Sequence, residues 1–129
     1  MPEFTISRRV DGNLTEALDR FKSALSNEGF GVLYELDFSE IIRNKTGQAL
    51  TGRVVGLGVC SPGLAQQALS VDPAIAALLP CGAYVSEDNQ GVTVGLLDPD
   101  AALGLAERPE LQPLGQDART RLKRALNSV

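Results

Sequence analysis

The 129-residue sequence has no histidine and no tryptophan, and Met1 is its only methionine. The missing imidazole removes Ser-His and Cys-His nucleophile pairs, histidine-ligated metal centres and the side chain best suited to proton transfer near neutral pH. Cysteine is scarce as well: Cys60 and Cys81 are the whole supply. A four-ligand zinc site would have to complete them with carboxylates or with a second chain, which is uncommon. Their spacing matches neither a CxxC redox motif nor a zinc knuckle. Long apolar runs are lacking, so no stretch is expected to span a bilayer. The start, MPEFTISRRVDG, has no apolar run behind its basic residues and does not read as a secretory signal. Twelve basic residues stand against sixteen acidic ones, and the net charge of −4 argues against nucleic acid as a general partner. The expectation is a cytoplasmic protein, where two cysteines mostly stay reduced.

What is present reads as one domain. The apolar fraction is 43% and the charged fraction 22%, ordinary values for a chain with a continuous core, and no linker or repeat divides it. EFTISRRV alternates Phe4 and Ile6 against Thr5 and Ser7, the period of a half-buried strand. In NLTEALDRFKSALSNEGF, Leu14, Leu18, Phe21 and Leu25 fall on one helical face. Asn13 with Glu16 makes a capping box, and Gly29 suits the left-handed position after the last turn. GVLYELDF is a second strand, with Val32, Tyr34 and Leu36 expected on one side. SEIIRNKTG reads as a short helix capped by Ser39 and stopped by Gly47.

RVVGLGVC is a third strand whose parity separates Val55, Leu57 and Val59 from Gly56, Gly58 and Cys60. Two glycines on one face leave room for a close backbone, a packed helix or a ligand. Ser61-Pro62 and Asp72-Pro73 then start two short helices, each with a capping side chain ahead of a proline. CGAYVSED and GVTVGLLD flank Asn89-Gln90 as a hairpin. Asp98-Pro99 repeats the start signal over DAALGLA, and QDARTRLKRALNSV closes the chain as a helix with Ala118, Leu122, Ala125 and Leu126 as its stripe. The order β-α-β-α-β-αα-β-β-α predicts an α+β (mixed α/β) domain over residues 1–129. About five strands would form one mixed sheet, with helices packed mainly on one face.

Cys60 ends the third strand just before a helix start, where free N–H groups favour a thiolate. If the two helices bring the chain back, Cys81 opens the fourth strand near the end of the third. The two sulfurs would then face each other across Gly56 and Gly58. The alternative is that both are small buried residues. GLGVCSPG fails as a dinucleotide fingerprint: position 61 is serine, the glycines lie inside the strand, and no acidic residue follows about twenty positions on. The carboxylates at Glu35, Asp37 and Glu40, at Glu87-Asp88 and at Asp98-Asp100 fall at strand ends and helix starts, where caps and solvated turns account for them. The basic residues of the last helix are spread over several faces, which suits dipole compensation better than an anionic partner.

Five motifs in order carry a resemblance: Gly29-Phe30, Lys45, Cys60-Ser61-Pro62, Asp72-Pro73-Ala74-Ile75 and Leu79-Pro80-Cys81. Together they resemble the DUF302 family of small bacterial and archaeal proteins, from about Thr15 to Asp98. Ser61 stands where that family commonly has asparagine; either residue can cap the helix. The resemblance implies a compact α/β domain that tends to form homodimers, and it brings no reaction with it.

The expected function is therefore a small-ligand-binding or thiol-redox-linked accessory protein built on a cleft of Cys60, Cys81, Ser61, Gly56 and Gly58. Its ligand would be a small anion, a thiol compound, a soft metal or a haem-like cofactor. The competing expectation is a structural or regulatory homodimer with both cysteines packed. An enzyme using a Cys60 thiolate ranks last, because no general base beyond carboxylates is evident.

Overall fold

Period-two alternation in the strands and period-3.6 stripes in the helices resolve into one five-stranded sheet covered on one face. The computed structural model describes residues 3–129. The chain runs β1 (Thr5–Val10), α1 (Leu14–Asn27), β2 (Gly31–Asp37), α2 (Phe38–Thr46), β3 (Arg53–Cys60) and α3 (Pro62–Val71), followed by a 3-10 turn over Pro73–Leu78. It continues through β4 (Cys81–Asp88), β5 (Gly91–Leu97), α4 (Pro99–Gly104), a 3-10 turn (Pro109–Leu111) and α5 (Gln112–Asn127). The strands lie in the order β1-β5-β4-β3-β2. Every neighbouring pair is antiparallel, so the sheet is not mixed as expected. The reason is local. Each connector from β2 to β5 returns the chain to the end it just left, as the pairing of Val59 with Cys81 across the α3 excursion shows. Only α1 crosses the sheet, carrying the chain from one edge strand to the other.

The core lies between the sheet and α1 with α5. Leu14, Phe21 and Leu25 of α1 and Leu122 and Leu126 of α5 pack on Val55, Leu57, Val85 and Val94. A second, smaller cluster gathers Ala68, Ile75 and Leu111, with Leu79, Leu103 and Leu114 against it. Helix α1 begins with the expected reciprocal box: Glu16 N–H donates to Asn13 Oδ1 at 2.9 Å, and Asn13 N–H donates to Glu16 Oε1 at 3.0 Å. Gly47 ends α2 at φ 73°. That helix starts two residues earlier than expected, because Asp37 and not Ser39 is its cap; the Ser39 hydroxyl instead accepts from Val54 N–H at 2.7 Å.

The second strand also departs from simple alternation. A bulge between Val32 and Tyr34 changes the register. Val32 therefore pairs with Val59 on the helix-covered side, while Tyr34 and Leu36 pair with Gly58 and Gly56 on the open side. The expected common face of Val32, Tyr34 and Leu36 is split.

Candidate functional site

The glycine face of β3 exists, but rings occupy it. A Cβ at Gly56 would collide with the Phe38 ring, and one at Gly58 with the Tyr34 ring. On β5, Gly95 lies under Tyr84 in the same way. The absent side chains let aromatic rings lie close on the open face of the sheet. Neither Gly56 nor Gly58 lines the cavity that holds the cysteines.

That cavity lies beyond the ends of β3 and β4, along the seam between the two hydrophobic clusters. Val59 and Cys60 close it from β3, Ser61, Leu64 and Ala68 from α3, and Leu79 and Cys81 from the entrance to β4. Leu103 of α4, with Leu114 and Ala118 of α5, forms the opposite wall. Its volume is about 40 Å3. The proline-led starts position these groups: Ser61-Pro62 turns the chain out of β3, and Asp72-Pro73 turns it back. The Asp72 carboxylate accepts from Ala74 N–H at 2.9 Å in doing so.

Both cysteines are half-buried free thiols. They do not form the expected facing pair, and the sulfurs are not close. Strand parity is the cause. Cys81 pairs with Val59 and so falls on the helix-covered face, whereas Cys60 shares the face of Gly56 and Gly58. Counting along one strand located Cys60, but the face of Cys81 depends on register with the neighbour. Burial pushes the Cys81 thiol above its ordinary pKa, and the charge of an ionised Cys60 adds to the shift.

Five of the seven candidate carboxylates take structural roles. Glu35 pairs with Lys22 of α1, Asp37 caps α2, and Glu87 accepts from Leu14 N–H at 3.2 Å. Asp98 caps α4 and pairs with Arg119 at 3.3 Å, while Asp88 accepts from Gln90 N–H in the hairpin turn. Among the described residues no three His, Cys, Asp or Glu side chains gather as a metal cluster. Along α5, Arg121 pairs with Asp117 and Arg124 with Glu28.

Ser61, expected as the cap of α3, makes no capping hydrogen bond and is only 8% exposed. No sequence signal separates a serine that caps from one that does not.

The family model described as "Domain of unknown function DUF302" matches residues 6–129. The chain belongs to the DUF302 family. A crystal structure of an uncharacterized conserved DUF302 protein from Bacillus stearothermophilus superposes with a TM-score of 0.92 at 28% identity, covering 98% of each chain. No curated protein matches. In this DUF302 chain no helix among the described residues is long and apolar enough to cross a membrane.

Proposed function

We propose that this DUF302 protein is a small-ligand-binding module whose site is the cleft lined by Cys60, Ser61 and Cys81. The observation that carries the reading is an apolar cavity at the seam of two separate hydrophobic clusters, walled by α3, α4, α5 and the β3 and β4 ends. A cavity of about 40 Å3 is far below the roughly 300 Å3 of cofactor-sized pockets, so the ligand is small and not haem-like. Separated sulfurs provide no internal dithiol at the cleft. The module works in the cytoplasm, where free thiols persist. The test is titration with 1-butanol, following the methyl resonances of Leu64, Leu103 and Leu114. Selective shifts that disappear in Ala68→Leu, which fills the cavity, support the reading. Uniform or absent shifts defeat it.

A second reading, a homodimer, is favoured by the open face of the sheet. Tyr34, Leu36, Phe38 and Ile41 are exposed there, and the cross-strand row Ser7, Gly95, Tyr84, Gly56, Leu36 carries no charge. Five strands of this length present about 500 Å2 of plane, near the ~800 Å2 per partner of a standard interface once side-chain relief is added. Sedimentation equilibrium checks it: a dimer that Leu36→Asp splits supports this face, and a monomer at all concentrations rejects it.

A further inference from the structure

We infer that a second cleft, between α4 and α5, binds a small primary amine as its ammonium ion. The Asp100 carboxylate is the counter-ion, and the side-chain oxygens of Gln112 and Gln116 are further acceptors. This cleft shares only Leu103 with the cysteine cleft, and the inference does not rest on that site.

Asp100 carries the argument, as one of the two candidate carboxylates without a structural role. The cleft it lines measures about 310 Å3, which reaches the roughly 300 Å3 at which small-molecule sites begin. Asp100 and Leu103 line it from one face of α4, and Gln112 and Gln116 from one face of α5. The carboxylate is turned towards α5: a Cβ added at Gly115 would stand 2.6 Å from Asp100 Oδ1. Glycine is unfavourable inside a helix, and here its missing side chain admits that oxygen. Among the described residues Asp100, Gln112 and Gln116 enter hydrogen bonds through their backbones alone. Their side chains are therefore free to meet a ligand.

Charge decides the sign of the ligand. The arginines that could neutralise Asp100 are committed elsewhere. Arg119 pairs with Asp98 at 3.3 Å, and Arg108 pairs with Asp72 at 3.4 Å and with Glu110 at 3.3 Å. The one cation lining the cleft, Arg108, is thus balanced twice over, and the unpaired Asp100 favours a positive guest. The walls define its class. No aromatic residue lines the cleft, so a quaternary ammonium has no ring to face. A calcium-like ion takes six or more oxygen ligands, and the cleft offers one carboxylate and two amides. Three acceptor side chains match the three N–H donors of a primary ammonium. Leu103 and Leu111 give its methylene groups an apolar surface.

The experiment titrates the full chain, at fixed ionic strength, with n-butylamine hydrochloride, 1-butanol, tetramethylammonium chloride and sodium butyrate. The side-chain amides of Gln112 and Gln116 and the methyl groups of Leu111 are followed by NMR. n-Butylammonium is expected to bind at least about fivefold more tightly than each of the other three. Asp100→Asn should remove that advantage. Should Asp100→Asn misfold, Gly115→Ala, whose new Cβ displaces the carboxylate, is read the same way. An advantage that survives these substitutions overturns the inference, as does a lack of any saturable response to n-butylammonium. Equal binding of 1-butanol or butyrate overturns it by removing the role of charge. Equal binding of tetramethylammonium overturns it by removing the role of the N–H donors. Leu111 does not line the cysteine cleft, so none of these outcomes bears on that reading.

Discussion

Two glycines with crowded surroundings differ in what crowds them. At Gly52, with φ 82°, an added Cβ meets the Glu87 carbonyl, which is fixed in the β4 backbone. At Gly58 the obstacle is the Tyr34 ring, which lies on the open face and can swing away. Gly52→Ala is expected to lower stability by about 2 kcal/mol or more, through combined strain and overlap, and Gly58→Ala by under about 1 kcal/mol. Urea melts of the two variants check the contrast. Cys81 gives the second prediction at this scale. Its thiol ionises above its usual 9.0 in the fold because burial opposes the thiolate, with the charge of Cys60 adding to that. The unfolded chain ionises at the ordinary value, so stability is whole below about pH 9 and declines as pH rises through the folded value. Cys81→Ala should flatten that decline, as seen in melts between pH 8 and 11. Residue identity made Cys60 and Cys81 conspicuous in the sequence, yet their relation was hidden because facing is a property of two strands in register.

Helix starts show which elements a sequence states outright. Asn13 with Glu16, Asp72 with Pro73, and Asp98 with Pro99 all sit where their spacing predicts, because capping geometry is fulfilled within a few residues. Ser61 and Ser39 follow the same pattern and cap nothing: Ser39 accepts from the β3 backbone, and Ser61 borders the cleft. A matched pair of substitutions separates the cases. Asn13→Ala should cost about 1 kcal/mol, whereas Ser61→Ala should stay within about 0.5 kcal/mol of the parent in the absence of ligand. Chemical denaturation of both, monitored by far-UV circular dichroism, measures the difference. The bulge in β2 belongs to this scale too. Alternation placed Val32, Tyr34 and Leu36 together, and nothing in those residues announces the extra residue that reverses the last two.

The whole molecule divides its apolar interior unequally. Phe21 lies fully buried in the main cluster between α1, α5 and the sheet, so Phe21→Ala should cost about 3–5 kcal/mol, measurable by denaturant unfolding. Fold class, helix positions and the hairpin were legible because they follow from periodicity and punctuation. The antiparallel order was not, since it depends on the end of the sheet to which each connector returns. That order has a consequence for a chain made on the ribosome. The strands from β2 to β5 form a meander in which each newly finished strand finds its neighbour already built. Strand β1 is synthesised first, yet its sole partner is β5, with Thr5 opposite Leu97. The first strand to emerge is therefore the last that can pair, and it must stay soluble and unmated until nearly the whole sheet has left the exit tunnel. Arg8 and Arg9, adjacent in β1, are suited to that interval: they discourage a lone strand from pairing with another nascent chain before its own partner arrives.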